Sequence, residues 1–201
     1  MPRRIDTAER TDTIATAALR VLERDGLAGL SVRGVAAEAE IAAASLRRAF
    51  PTQHALREYC FEVIEERATV RIRGLDLSGR ALAEGILAQL LPLDAERRTE
   101  LVAQVQLGIL ALTDEALRPA AIRLGDGVER ACRAALTVLD AARLFGTHRD
   151  LDYETQRLRA LLDGIAMHGL WNGEPESSAL MLTTLARHLD ELSRPEGSER
   201  S

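Results

Sequence analysis

Apolar residues recur three and four positions apart along nearly the whole chain, and the interruptions in that rhythm divide it into helices. Ile14, Ala17, Ala18, Val21 and Leu22 form the stripe of a long first helix ending at Asp25-Gly26, where glycine suits a left-handed stop. A short helix opens at Ser31, a residue that caps free amide groups. It sets Val32, Val35 and Ala36 on one face and stops near Ala39-Glu40. A second short helix follows at once. Leu46, Ala49 and Phe50 take its inward spacing, leaving Ala43, Ser45, Arg47 and Arg48 turned away. Thr52 then caps a fourth helix reaching about Arg73, with Leu56, Cys60, Val63 and Ile64 on its inner face.

Gly74 to Gly79 breaks the pattern, and further helices are expected at about 80–91, 95–112, 115–145, 152–171 and 177–193. Pro119 and the Gly125-Asp126-Gly127 element predict that the third of these is kinked or divided. Leu182, Leu185, Leu189 and Leu192 fall at the narrow seam of a helix that packs lengthwise against others. Leu158, Leu161, Leu162 and Ile165 line the helix before it, where Gly164, Ala166 and Gly169 permit close approach. The expectation is an all-α protein.

Composition narrows that picture. At 201 residues and 46% hydrophobic, the chain can bury one good core and a small module beside it. Its two cysteines, Cys60 and Cys132, both lie in helical stripes and have neither metal-type nor disulfide-framework spacing, so they read as small buried hydrophobes in a reducing compartment. No apolar run approaches the roughly 20 residues of a membrane span. Met1-Pro2-Arg3-Arg4 leads into polar residues, not a signal-peptide core, which predicts a cytoplasmic protein without a membrane partner. Catalysis lacks a constellation: His54, His148, His168 and His188 have no zinc-protease spacing. There is no Gly-x-Ser-x-Gly or phosphate-cradling loop, and Gly125-Asp126-Gly127 lacks both a preceding strand and a third glycine. No enzyme, metal site or cofactor is expected.

Two short helices joined by a tight turn and supported by a longer one read as a helix-turn-helix. Up to Arg57 nine arginines face seven carboxylates, for a net +2, while the rest of the chain carries −7. So weak an excess does not by itself indicate nucleic acid, and scattered arginines equally describe a solvated surface. The residues Gly26, Leu30-Ser31-Val32-Arg33-Gly34-Val35-Ala36, Ile41, Leu46, Phe50 and Leu56, however, resemble the N-terminal pattern of the TetR family of transcriptional regulators. Departures from that pattern accompany the match. Glu40 replaces the turn glycine, so the turn must bend differently or accept a strained left-handed residue. Ala42 replaces a capping serine at a cost of about 1 kcal/mol. Arg47 stands where the family has an aromatic residue, Ala49 where it has His or Tyr, and Gln53 where a lysine touches phosphate at the start of helix four.

The resemblance implies a ligand-responsive regulator, most simply a repressor, that binds an operator in double-stranded DNA as a homodimer. DNA would be contacted by Ser31, Arg33, Ala43, Ala44, Ser45, Arg47, Arg48 and Gln53. Dimerisation through the last two helices would use Leu158, Leu161, Ile165, Leu182, Leu185, Leu189 and Leu192, and Leu162 to Trp171 is similar to the betaine-regulator-like branch. A mostly apolar effector would be enclosed by Phe145, Met167 and Trp171, with Gln104, Gln106 and His168 supplying polar groups. The expected domains are 1–57 for DNA binding and 58–194 for effector binding and dimerisation, followed by a disordered tail over 195–201. A helical adaptor that binds only protein is the competing reading, and it gives the Arg33, Ser45, Arg47 and Arg48 surface no purpose.

Overall fold

The computed structural model describes residues 7–172 and 176–193, so the tail expected over 195–201 lies outside the described residues. Those described fold into helices only: α1 (Thr7–Gly29), α2 (Val32–Glu38), α3 (Ala43–Ala49), α4 (Gln53–Arg73), α5 (Gly79–Ala88), α6 (Ala95–Ala111), α7 (Arg118–Ala141), α8 (Leu151–Asn172) and α9 (Glu176–Leu192). Two compact units result. One comprises Met1–Glu66 with Thr99–Leu124, the other Arg67–Arg98 with Gly125–Ser201. The single boundary expected after residue 57 therefore falls inside α4, and the segment around α6 belongs with the N-terminal helices.

In the first unit, Ile14, Ala17, Ala18, Val21 and Leu22 of α1 meet Val35 and Ala36 of α2, Leu46 of α3 and Leu56, Cys60, Phe61 and Ile64 of α4. Ala103 and Leu107 of α6 and Ala120 and Leu124 of α7 complete this core. Each fully buried leucine contributes about 1.5–3 kcal/mol, so the short α2 and α3 are stable only as part of this assembly. Gly26 breaks α1 at φ 67°, a region that side chains with a Cβ avoid. Close by, the Gln106 amide donates to the Leu22 carbonyl at 2.9 Å. Burial pushes the Cys60 thiol up to about 12, which leaves it an inert core group.

α7 runs unbroken from Arg118 to Ala141, against the expected kink, with its residues to Leu124 in the first unit and the rest in the second. Because the helix begins at Arg118, Pro119 falls in its first turn, where a missing N–H removes no intrahelical bond. Arg143, at φ 59°, ends the helical path before the expected limit at Phe145. The inner stripe of α8, Glu154, Thr155, Leu158, Leu162, Ala166 and Gly169, faces Met181, Leu185, His188, Leu189 and Leu192 of α9. At the far end of the pair, Gly146 N donates to Leu192 O at 2.9 Å and Arg149 Nη2 to Glu191 O at 2.6 Å. The chain before α8 thereby satisfies orphan carbonyls at the end of α9. Glu154 is buried with its carboxylate 2.8 Å from Arg149 and 3.3 Å from Arg157. Removing those partners would leave an unpaired buried charge.

Candidate nucleic-acid interface

The helix-turn-helix is assembled from backbone constraints. Ser31 Oγ accepts from Gly34 N at 3.0 Å, so this hydroxyl caps α2. A Cβ on Gly34 would lie 2.6 Å from the Gly29 carbonyl oxygen, and only glycine lets α2 begin so close to the end of α1. Ile41 N bonds Ala36 O at 2.9 Å to close the turn, and Glu40 occupies the left-handed region at φ 54°. Of the two outcomes open to that glutamate, the strained left-handed one is realised. The α3 N-cap, Ala42, makes no side-chain hydrogen bond.

On α3 only Leu46 is fully buried, while Ala44, Arg47, Arg48 and Ala49 are exposed. Ala49, expected inside, stands outside at the last position of α3. Ala43 and Ser45, expected to face outward, are half-buried. Phe50 continues the inner face and packs against Tyr59 with ring centroids 4.8 Å apart. The Tyr59 hydroxyl donates to Thr11 O at 3.1 Å and ties α4 to α1. Arg33, Arg47 and Arg48 are exposed and form no ion pair with a described residue. Arg24, by contrast, is held by Asp25 at 2.9 Å and Glu38 at 2.7 Å. Hydrogen bonding from Arg24 lowers the Asp25 carboxyl below its ordinary range. Gln53 turns back into the module, with Nε2 donating to Leu30 O at 2.9 Å. It joins the start of α4 to the residue preceding the α2 cap, and Thr52 Oγ1 caps α4 by accepting from Ala55 N at 3.1 Å.

The residues expected to enclose an effector are divided between the two units. Gln104 and Gln106 belong to the first unit, and the Gln106 amide is engaged by Leu22 O. Phe145 is closed into the core of the second unit, and Met167 is half-buried. His168 and Trp171 lie on the outside of α8, edge to face at 5.7 Å, with Trp171 69% exposed. The leucine seam also divides. Leu158, Leu185, Leu189 and Leu192 are shielded within their own chain, because the inner stripe of α9 needs them against α8. Only Leu161, Ile165 and Leu182 of that expected interface reach the surface. At Ile165 opens a groove of about 210 Å³, lined also by His168, Gly169, Asn172, Leu180, Met181 and Thr184. Leu180 and Thr184 escaped notice because a four-residue spacing on α9 also fits the seam that became core.

Residues 14–60 match the model for bacterial regulatory proteins of the tetR family, and residues 79–194 match that for the C-terminal part of BetI-type transcriptional repressors. The chain belongs to the TetR family. As a TetR-family protein it is a transcriptional regulator with a DNA-binding helix-turn-helix. It is 31% identical over 173 residues to the HTH-type transcriptional regulator PksA of Bacillus subtilis (strain 168), covering 85% of this chain and 83% of PksA. A structure described as a TetR-family transcriptional regulator from Rhodococcus sp. superposes with a TM-score of 0.79 at 22% identity, covering 94% of this chain and all of that one. The multidrug binding protein EbrR in complex with ethidium gives a TM-score of 0.61 at 28% identity, covering 89% of this chain and 98% of EbrR. No helix among the described residues is long and apolar enough to cross a membrane.

Proposed function

We propose that this TetR-family regulator is a repressor that binds its operator as a homodimer through the Arg33, Arg47 and Arg48 face and is released by a mostly apolar small molecule. The observation that carries the reading is the contrast within the helix-turn-helix: Arg24 is neutralised by two carboxylates, whereas the three arginines of the outer face have no described counter-charge. Phosphates and base edges are the anionic and acceptor groups that such a face fits. Ser31 and Gln53 act on this reading as positioning residues, since cap and clamp fix where α2 and α3 stand.

On this reading the dimer forms through the side of α8 and α9 where exposed Trp171 and Leu180 stand beside the groove at Ile165 and Thr184. One face then carries both projecting side chains and a recess, the self-complementarity that a two-fold interface requires. EbrR, which binds ethidium, a flat aromatic cation, supports the aromatic part of such an effector. A footprint of the purified full-length chain on the DNA upstream of its own gene tests the proposal. Two protected half-sites about one helical turn apart are expected. Protection of a single half-site would remove the dimeric arrangement.

A further inference from the structure

We infer that the operator half-site is read as guanine beside thymine, by the arginine guanidinium groups and alanine methyl groups of α3. The inference rests on the proposed DNA contact through this helix and names what it would recognise. The exposed side chains of α3 and its cap are of two kinds only: the methyls of Ala42, Ala44 and Ala49, and the guanidinium groups of Arg47 and Arg48. Ser45 is half-buried and already partnered within the chain. In the major groove a guanidinium pairs bidentately with guanine O6 and N7, and a methyl packs on the thymine C5-methyl.

Readers for the other bases are missing from this face. Adenine is recognised by a carboxamide, and the only carboxamide in the first 66 residues is Gln53. Its amide donates to Leu30 O at 2.9 Å, which holds it back against the module. Cytosine is recognised by a carboxylate. Glu40 lies in the turn before α3 begins, and Glu38 is paired with Arg24 at 2.7 Å.

Spacing makes the two contacts neighbours. Arg47 and Arg48 follow Ala44 by three and four residues, so the methyl and both guanidinium stems share one face of the helix, with Cβ atoms about 5–6 Å apart. Seven residues give α3 a length of about 10 Å, enough to face about three base-pair steps. Recognition by this helix is therefore compressed into a short block in which a guanine adjoins a thymine.

The test begins with selection of bound duplexes from a randomised pool by the full-length chain. In the selected site each guanine is then replaced by 7-deazaguanine, each adenine by 7-deazaadenine and each thymine by deoxyuridine. At one guanine per half-site, loss of N7 should weaken binding about tenfold or more, and at an adjoining position loss of the thymine methyl should weaken it about fourfold. In one of the two variants Arg47→Ala and Arg48→Ala, both surface changes that keep the fold, the guanine effect should vanish while the thymine effect remains. Enrichment of a site that is sensitive at adenine N7, or insensitive to both the guanine and thymine changes, overturns the inference and leaves sequence-specific binding intact. Failure to enrich any sequence overturns the underlying DNA-binding proposal and the inference with it.

Discussion

The α2–α3 pair and the α8–α9 pair close on their neighbours by the same device, an apolar stripe at helical spacing, and then present opposite chemistry to the outside. Around α3 a single buried leucine is surrounded by methyls and two arginines without a described counter-charge. Around α9 five inner residues are buried, while Leu180 and Leu182 remain exposed on its two flanks and Trp171 projects from α8. The outer face, more than the inner one, tells the pairs apart. A cationic face loses little by standing in water until an anion displaces it, whereas an exposed apolar face gains from being covered.

The strongest way to break this contrast is to confuse the two sides of α9. Leu185→Glu combined with Leu189→Glu places two unpaired charges among fully buried side chains, at a cost of more than several kcal/mol. Thermal melts should show an unfolded second unit, not a folded monomer. The reverse substitution, Leu180→Glu with Trp171→Glu, touches only exposed positions. It should leave the chain folded, with a melting temperature lowered only by the lost association, while sedimentation shifts from dimer to monomer, and a folded double variant that stays dimeric would move the interface elsewhere.

On the first unit the effect should be smaller and confined to binding. Arg47→Ala should cost about 1–3 kcal/mol on the operator if the side chain reads a base, and should also relax sequence preference there. An even loss on operator and unrelated DNA would make it a phosphate contact.

A weaker difference arises from titration inside the α8–α9 pair. His188 is buried, and desolvation lowers its pKa, reinforced by Arg157 and Arg149 and opposed by Glu154 and Glu191. The fold therefore favours the neutral ring, and the unfolded chain binds the proton first as pH falls. Stability contributed by this site is present above histidine's ordinary value near 6.5 and declines as pH drops from there through the lower folded value. Urea titrations of wild type and His188→Gln between pH 7.5 and 5 should show the wild type losing more stability over that interval. Parallel curves would remove His188 as the source.

Much of this architecture was legible because helical periodicity and capping are local. Ser31, Thr52 and Gly26 end or begin helices where their chemistry demands, and the left-handed turn at Glu40 was one of two outcomes the sequence left open. Assignment of faces was less legible. On α9 the spacing that marks an apolar stripe says nothing about whether the stripe faces its own chain or another, so Leu185, Leu189 and Leu192 were as consistent with an interface as with a core. The Gln106 and Gln53 amides were invisible for a related reason, since their acceptors, Leu22 O and Leu30 O, lie 84 and 23 residues away in the chain. The unit boundary was missed because α6 returns to pack with the N-terminal helices, a long-range association that no composition shift announces.

The central claim, that the outer arginine face of the helix-turn-helix holds the operator, is tested most directly by equilibrium binding to the DNA upstream of the gene across a range of salt concentrations. Wild type is compared with the Arg33→Ala, Arg47→Ala, Arg48→Ala triple variant. The account predicts that the folded triple variant loses all preference for that DNA over unrelated duplex, and that its salt dependence becomes shallower by about one logarithmic unit for each phosphate contact removed. A folded triple variant that retains wild-type affinity and salt dependence would contradict it.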